Sequence, residues 1–455
     1  MRHTRHGYWL EEAGRVESTA PLSGNVTADV AVVGGGYLGL WTAWHLVDAG
    51  ATVVVLEKAI CGHGPSGRNG GFVSSLWDQL PGLEERYGHE RAREVGRASE
   101  DAVAAIGAWC EAEEVDGWYR AAPQLEVATT AAQDGAWEPV ARACAAAGLG
   151  DECRELSAAD VREICASPVF RGGLALRTSA TVQPARLALG LRRRLLERDV
   201  RIHERSPVVR LRDRVETAGG SVAAGAAVLA VNSATGGFPG HRRALAVASS
   251  HIVLTEPVPD VLEELGWTGG EAIADARTLL HYFRTTPDGR IAFGWGGGRM
   301  GYGARPREAL EVDADAVEHA RRSLLRLFPP LTGRRITHAW GGPIDVSPTH
   351  LPSFGSRGGV HHGYGFTGNG VGPSYLGGRI LASLALDRRD DVSRLALVEP
   401  EPARFPPEPF RYLGGSAIRR ALVATDEAAD TGHATGVLTS LVASLPRRLG
   451  LHLPR

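Results

Sequence analysis

Three glycines, Gly34, Gly36 and Gly39, have the spacing that proteins use to bind a dinucleotide. They follow the apolar run 29–33 and begin a segment in which apolar residues recur at helical spacing up to Gly50. In this pattern the first glycine permits a tight turn, the second lets a pyrophosphate approach the backbone, and the third allows close helix–strand packing. The N-terminus of the helix would then face the phosphates.

The spacing alone is weak evidence, because a chain with 58 glycines meets it by chance. The same pattern recurs at Gly62/Gly64/Gly67, Gly296/Gly298/Gly301 and Gly363/Gly365/Gly368. Only the first copy lies between two β-branched runs, and the second run (52–57) ends at Glu57, whose carboxylate can accept from a ribose hydroxyl. We therefore interpret this copy as a dinucleotide site; an ordinary glycine-rich turn is the alternative.

The elements that must position this site alternate between strand and helix along the chain. Helical patterns cover much of 80–165 and the segments 184–198 and 314–328, and a Pro-Asp-Gly turn within 279–298 predicts a hairpin. This alternation indicates an α/β fold. Because strand–helix units occur near both ends, we expect one domain to be discontinuous.

The composition excludes several classes of protein. The 455 residues carry a formal net charge of −2, with 43% hydrophobic and 22% charged residues, which is ordinary for a globular protein and unlike a basic nucleic-acid binder. No apolar stretch is long enough to span a membrane and the N-terminus lacks a signal peptide pattern, so we expect a cytoplasmic protein. Five cysteines without a CxxC pair predict reduced thiols, with no disulfide framework and no metal site.

Two further glycine-rich motifs extend the pattern, SGRNGG at 66–71 and GNGVGPS at 368–374. Together with GGGYLG and VVVLEK, they resemble the FAD-dependent D-amino-acid-oxidase superfamily, which includes glycine and sarcosine oxidases, and within it the γ-glutamylputrescine oxidoreductase branch. The resemblance covers residues from about 8 to 390. It implies a discontinuous Rossmann-type FAD-binding domain (25–80, 170–240 and 335–390). It also implies an α+β substrate domain on a mostly antiparallel sheet (81–169 and 241–334), followed by a C-terminal helical extension (391–455).

The resemblance also implies a set of residues that hold FAD. Those at the pyrophosphate would be Gly34, Gly36, Tyr37, Leu38 and Gly39, with Glu57 and Lys58 at the ribose and Val208 at the adenine. Those along the ribityl chain and flavin edge would be Ser66, Gly67, Arg68, Asn69, Gly70 and Gly71. Those at the pyrimidine end would be Gly342, Gly368, Asn369, Gly370 and Val371. Relatives that bind FAD covalently carry a cysteine near Gly342, so we expect FAD to be non-covalent here.

The chemistry that the resemblance implies is oxidation of an amine or amino-acid-like substrate at its C–N bond, by hydride transfer to flavin N5, giving an imine. Candidate pocket residues are Trp77, Tyr282, Arg284 and Trp340. The two tryptophans could equally be core residues, and Arg284 could form a surface ion pair. Oxygen or another acceptor would take the electrons.

Two departures from the relatives bear on the substrate. Glycine and D-amino-acid oxidases place an arginine for the substrate carboxylate before a proline, where this chain has Gly342 before Pro343. An α-amino carboxylate would need another anchor, such as Arg284 or Arg68. The resemblance therefore favours an amine, or an acid whose charge lies elsewhere, and we expect Arg284 to bind such a remote charge. Lys58 is the only lysine, so none is present to assist oxygen near the flavin, and oxidase and dehydrogenase both stay open.

Other classes of flavoprotein remain as alternatives. Flavin monooxygenases and halogenases begin with the same unit, but they carry a late Gly-Asp motif, and here the only such pair is Gly150–Asp151. A non-catalytic flavoprotein subunit would carry the same FAD motifs. An NAD-only dehydrogenase would leave the second glycine loop without a role.

Overall fold

The computed structural model describes residues 2–4, 6–212 and 214–448. The strands are β1 (Arg2–His3), β2 (Gly24–Val33), β3 (Val53–Leu56), β4 (Phe72–Ser74), β5 (Arg120–Ala121), β6 (Gln124–Val127), β7 (Cys153–Leu156), β8 (Gly173–Leu176), β9 (Ser179–Thr181), β10 (Arg201–His203), β11 (Val208–Leu211), β12 (Val215–Thr217), β13 (Gly220–Leu229), β14 (Ala246–Thr255), β15 (Ala272–Asp275), β16 (His281–Thr285), β17 (Ile291–Trp295), β18 (Met300–Gly301), β19 (Ile336–Val346), β20 (Ser353–Arg357) and β21 (Val360–Tyr364).

The α-helices follow the same chain order. They are α1 (Gly7–Glu12), α2 (Tyr37–Asp48), α3 (Leu80–Tyr87), α4 (His89–Ala112), α5 (Glu138–Ala146), α6 (Ala158–Ile164), α7 (Pro184–Glu197), α8 (Pro259–Glu264), α9 (Ala314–Leu327), α10 (Val371–Ala385), α11 (Phe410–Asp430), α12 (Val437–Ala443) and α13 (Leu445–Arg448).

An eight-stranded sheet contains the first glycine motif. Its order is β10-β3-β2-β13-β12-β11, with β21 pairing to β13 and β20 to β21. The strands β10, β3, β2, β13 and β21 run parallel to one another, and α2 connects β2 to β3. The predicted βαβ unit is confirmed. It brings the carboxyl ends of these strands to one edge, where ligands bind in open α/β sheets.

A ten-stranded sheet forms the other half of the molecule, with the order β1-β19-β14-β17-β16-β15-β6-β8-β7 and β18 beside β14. Most of its pairs are antiparallel, and β16 and β17 form the predicted hairpin around the turn Pro287–Gly289. The segment predicted as mostly helical also contains the strands β6 and β7. Each is short, and both join this sheet at the end away from β1, where β6 pairs with β15 and β7 pairs with β8.

Two segments that the sequence assigns to the FAD-binding domain belong to the ten-stranded sheet. These are β8 and β19; β19 pairs along its length with β14. Residues that leave β19 lead into β20 and β21, so the chain crosses between the two sheets there. The division into domains stays a prediction. The structure differs from it in that β8 and β19 belong to the ten-stranded sheet. Of the predicted extension, residues 449–455 lie outside the described residues.

The cysteines differ from the prediction of reduced thiols. Cys144 at the end of α5 and Cys153 at the start of β7 form a disulfide, with Cα atoms 6.1 Å apart. Packing of α5 on β7 brings these two buried side chains together, which their sequence spacing does not reveal. Cys61, Cys110 and Cys165 are free and buried. Within the described residues, no helix combines the length and the hydropathy that a membrane span requires.

Candidate active site

The turn between β2 and α2 leaves no space for side chains at two of its glycines. Gly34 has φ +111°, and a Cβ there would lie 2.3 Å from the carbonyl oxygen of Ala230, which follows β13. A Cβ on Gly39 would lie 1.9 Å from the carbonyl oxygen of Gly34. Both positions therefore require glycine. The first turn of α2 is held against the end of β2, with its N-terminus toward the sheet edge.

Glu57 lies at the end of β3, beside this turn. Its carboxylate accepts hydrogen bonds from the N–H groups of Gly35 and Ala59, both at 2.8 Å. Burial raises the pKa of Glu57, and the two N–H donors act in the opposite direction. Each carboxylate oxygen keeps a further lone pair. Glu57 can thus accept from a ribose hydroxyl, while Lys58 is exposed.

The adenine contact assigned to Val208 remains a prediction. Val208 is half-buried at the start of β11, at the opposite edge of the sheet from β10. The chain just before it lies close to the ribose position, because the Ser206 N–H donates to the Glu57 carbonyl at 2.8 Å.

A buried ion pair supports the loop that follows Glu57. Arg192 of α7 donates to both oxygens of Glu204, at 2.7 and 3.0 Å. Glu204 also accepts from the backbone N–H groups of Cys61 and Thr19, each at 2.8 Å. The arginine and these N–H groups lower the pKa of Glu204 against the opposing effect of burial. The arginine binds the carboxylate with two hydrogen bonds, and backbone N–H groups satisfy further lone pairs of the same carboxylate. Together these bonds hold the loop in a fixed position.

The SGRNGG motif (66–71), which we call the flavin loop, is held by its own polar side chains. Ser66 Oγ accepts from the N–H of Tyr37 at 2.8 Å, which connects the loop to the first residue of α2. Asn69 donates to the carbonyls of Pro65 and Ser66 and accepts from the Gly71 N–H at 2.7 Å. These bonds occupy the asparagine side chain in forming the loop.

Three large side chains from distant segments brace the flavin loop from behind. Trp9 of α1 donates to the Asn69 carbonyl at 2.9 Å, and Trp340 of β19 donates to the Arg68 carbonyl at 2.8 Å. Arg284 of β16 donates to the Gly71 carbonyl at 3.3 Å and lies over the Trp9 ring. Three of the loop's backbone carbonyls are thereby satisfied in the interior.

A cavity of about 510 Å³ lies between the flavin loop and the ten-stranded sheet. Both glycine loops reach it, and most of its wall is apolar. From the predicted FAD residues it is lined by Arg68, Asn69, Gly70, Gly342, Gly368, Asn369 and Val371. From the ten-stranded sheet it is lined by residues including Gln124, Ala248, Ser250, Ile252, Tyr282, Trp340 and Ile344.

Asp345 holds the second glycine loop in place from β19. Its carboxylate accepts from the N–H of Gly365 at 2.6 Å, and its carbonyl accepts from the N–H of Thr367 at 3.0 Å. Burial raises the pKa of Asp345 to about 6. The loop continues through Gly368 (φ +91°) to α10, whose N-cap Gly370 carries no capping side chain. The N-terminus of α10 is thus directed toward the cavity, where it stabilises negative charge.

Tyr282 presents its hydroxyl group in the cavity wall with a defined hydrogen-bond direction. Ser250 Oγ lies 2.6 Å from the Tyr282 oxygen and donates to the Trp295 carbonyl at 3.0 Å. A serine hydroxyl has one proton, so Tyr282 donates to Ser250. Burial raises the pKa of Tyr282 to about 12, so the phenol stays protonated at neutral pH. The tyrosine oxygen therefore offers an acceptor to the cavity.

Two of the four predicted pocket residues do not line the cavity. Trp77 is fully buried in the core: its indole N–H donates to Glu100 of α4, and its ring packs against Gly96. Arg284 lies two residues after Tyr282 on β16 and so shares its strand face, but its guanidinium lies behind Gly71, enclosed by the loop and Trp9. Tyr282 and Trp340 do line the cavity.

Several lining residues were not predicted from the sequence. Ser250 follows from strand pairing, since β14 and β16 both flank β17. Trp9, which braces the flavin loop without lining the cavity, lies in a short helix with no motif. The largest omission is one face of α11, which lines the cavity with residues spaced three and four apart. That helical spacing is visible in the sequence, but the surface it covers is not.

The arrangement fits FAD. The turn at Gly34 is a cradle that any Cβ would fill, Glu57 has free lone pairs at the ribose position, and both glycine loops border one apolar cavity. A two-sheet flavoprotein with its substrate cavity under an antiparallel sheet is the class that this fold and site define. Residues 29–384 match the family model described as "FAD dependent oxidoreductase" (DAO). The chain belongs to this family.

Individual relatives agree with that assignment. The chain is 30% identical over 435 residues to gamma-glutamylputrescine oxidoreductase of Escherichia coli (strain K12), covering 92% of this chain and 96% of that protein. The crystal structure of glycine oxidase from Geobacillus kaustophilus superposes with a TM-score of 0.67 at 19% identity, over 83% of this chain and 100% of that one. L-proline dehydrogenase from P. horikoshii gives 0.66 at 17% identity, over 83% and 96%. The predicted resemblance is confirmed: the protein is an FAD-dependent oxidoreductase of the family that acts on amines and amino acids.

We expect Glu57→Ala to weaken FAD binding by about ten- to a hundred-fold, because a charge-assisted hydrogen bond contributes about 1.5–3 kcal/mol. FAD affinity, measured by titrating the apoprotein while following flavin fluorescence, checks this. Glu111→Ala, an exposed change on α4, is the control. An unchanged dissociation constant for the Glu57 variant would contradict the ribose assignment.

We expect Asp345→Asn to gain stability relative to wild type as the pH rises. The pKa of Asp345 is raised from 3.8 to about 6, so the folded state favours the protonated acid. Its stabilising contribution is complete below about pH 4 and is lost as the pH passes 6, by about 3 kcal/mol in all. Chemical denaturation between pH 4.5 and 7.5 in excess FAD measures the difference, with exposed Asp151→Asn as control. A pH-independent difference would show that Asp345 ionises freely.

Proposed function

We propose that this enzyme oxidises the C–N bond of an amine to an imine by hydride transfer, and that its substrate carries no carboxylate on the reacting carbon. When bound, FAD supplies the acceptor for the hydride that leaves this carbon. The nitrogen supplies the electron pair of the new C=N bond. The observation that carries the proposal is the acceptor oxygen of Tyr282 in an apolar cavity shared by both flavin-binding loops.

The direction of the Tyr282 hydrogen bond supports an amine. Its proton is directed to Ser250, so the tyrosine oxygen accepts from the cavity and suits an N–H donor. A carboxylate at the same place would have no proton to donate, so its oxygen lone pairs would face the lone pair of the tyrosine oxygen and be repelled. Tyr282 thus orients the nitrogen of the substrate.

The apolar wall supports reaction of the neutral amine. An ammonium group has no free electron pair with which to form C=N, and desolvation disfavours the charged form. Side chains such as Leu76, Ile252, Ile344 and Phe366 exclude water around the reacting atoms. The cavity therefore promotes loss of the ammonium proton before oxidation.

Gly342 has no side chain that could bind a carboxylate on the reacting carbon, which supports the second part of the proposal. A Cβ at Gly342 would have no heavy atom within 4 Å, and the residue lines the cavity. The space at this position is open, where relatives carry an arginine. Arg284 does not replace that arginine, since it lies behind the flavin loop.

Two sets of contacts fix the position of the flavin-binding loops relative to the cavity wall. Trp340 lines the cavity and also holds the Arg68 carbonyl, so one residue sets both the wall and the flavin loop. The N-terminus of α10 and its preceding loop stabilise negative charge at the edge of the cavity, where the resemblance places the flavin pyrimidine ring.

We expect the flavin of the anaerobic enzyme to be bleached by 1-aminobutane at least about ten-fold faster than by norvaline, which is the same amine with an α-carboxylate. Stopped-flow absorbance of the oxidised flavin band measures both rates. Gly342→Arg is the matched variant, and we expect it to reduce the preference. Faster bleaching by norvaline in the wild type would reject the proposed substrate.

We also propose that FAD is bound non-covalently. Among the described lining residues there is no cysteine, and burial raises the pKa of the Cys61 thiol well above its ordinary value, which makes it a poor nucleophile. We expect acid precipitation to release all the flavin into the supernatant, as seen by absorbance. Flavin retained in the pellet, with a flavin-bearing peptide by mass spectrometry, would refute this.

A further inference from the structure

The C-terminal helix α11 forms one wall of the substrate cavity. The residues that line it follow helical spacing and lie on one face: Arg411, Gly414, Gly415, Ile418, Arg419 and Leu422. This helix begins at Phe410, beyond residue 384 where the family match ends. Its cavity face is thus a feature of this chain that the family match does not explain.

Three arginines line the cavity within the described part of the chain, and they differ in their partners. Arg68 pairs with Glu311 at 3.3 Å, and Arg411 pairs with Glu408 at 2.7 Å. Arg419 has no carboxylate within ion-pair distance in the described residues. Its Nε donates to the carbonyls of Gly297 and Gly298, at 2.8 and 2.6 Å. Of the three arginines in the cavity wall, Arg419 is therefore the one without an ion-pair partner among the described residues.

The two carbonyls hold the Arg419 guanidinium in position without using its terminal nitrogens. A guanidinium has five N–H donors, and its terminal pair matches the two oxygens of a carboxylate. The surrounding wall, with Ile418, Leu422 and Met300, is apolar, so an ion pair formed here is poorly screened. The side chain is thus held ready for an anion.

We propose that Arg419 is a specificity-determining residue that binds a carboxylate of the amine substrate, remote from the reacting C–N bond. This rests on the proposed function for the site of the amine. Gly294 packs against the Tyr282 ring, and Gly297 lies three residues further along the chain. At about 3.3 Å per residue, the Cα atoms of these two glycines are at most about 10 Å apart, and the Tyr282 and Arg419 side chains each contact one of them. A flexible ω-amino acid fits this separation.

The test compares ω-amino acids with their carboxamides on the FAD-loaded enzyme. The probes are 4-aminobutanoate, 5-aminopentanoate and 6-aminohexanoate, each paired with its amide. Arg419→Gln keeps a donor for the Gly297 and Gly298 carbonyls and removes the charge. Arg420→Gln removes the same charge from an exposed position on the same helix and is the matched control.

We expect Arg419→Gln to lower kcat/KM for the preferred acid by about ten- to a hundred-fold and to leave its amide within about two-fold. Arg420→Gln should change neither. An equal loss for acid and amide would assign Arg419 a structural role and overturn the proposal. Wild-type enzyme that oxidises amides but has no preference for acids would overturn it as well, with the proposed function intact.

Binding provides a readout that does not depend on turnover. We expect hexanoate, and not hexanamide, to raise the Tm of FAD-loaded wild type and Arg420→Gln, and to have no effect on Arg419→Gln. If no amine reduces the flavin, the proposed function fails and this measurement still decides whether Arg419 binds a carboxylate. A hexanoate effect that is equal in all three proteins would reject the site.

Discussion

The whole site depends on the close approach of backbone to backbone where β2 turns into α2. With a Cβ at Gly34 2.3 Å from the Ala230 carbonyl, and one at Gly39 1.9 Å from the Gly34 carbonyl, the strand, the turn and the helix touch without side chains between them. This brings the N-terminus of α2 to the edge where β3 and β13 also end. Glu57 and the flavin loop attach at the same edge through backbone N–H groups, of Gly35 and Tyr37 respectively. A side chain at Gly34 or Gly39 would displace the turn to which Glu57 and the flavin loop are attached.

The flavin loop joins this edge to the other sheet. Its residues lack a regular hydrogen-bond ladder, so its carbonyls need donors from elsewhere. Trp9, Trp340 and Arg284 provide them from α1, β19 and β16. A buried indole N–H satisfies a carbonyl while its ring fills the core, which explains why two of the three are tryptophan. The loop is therefore only as well ordered as the packing of the ten-stranded sheet behind it.

Local features of the fold follow from the sequence because their causes are local. The βαβ unit, the hairpin at Pro287–Gly289 and the helices α7 and α9 are set by periodicity and turn residues within a few positions. The differences between sequence-based expectation and structure concern contacts across long separations. Trp77 follows the flavin loop closely, but a 3₁₀ turn directs it into the core beneath α4. Arg284 lies on the same strand face as Tyr282, but the loop covers it. The cavity face of α11 was not predictable. The spacing of apolar residues shows that one face of the helix is buried, but it does not show which part of the protein that face packs against.

The position of Arg284 behind the loop has an electrostatic consequence for the chemistry in front of it. Burial lowers its pKa to about 10, so it stays charged at neutral pH, and no carboxylate in the described residues forms an ion pair with it. Its strand neighbour two residues away, Tyr282, accepts from the amine in the proposed function. For comparison, two positive charges about 10 Å apart at an effective dielectric constant of about 20 repel each other by about 1.7 kcal/mol. A repulsion of this size raises the acid dissociation constant of the ammonium by more than a factor of ten. Desolvation by the apolar wall acts in the same direction, because it also favours the neutral amine. An arginine that never touches the substrate thus favours the neutral amine, the form whose electron pair is free to become the C=N bond.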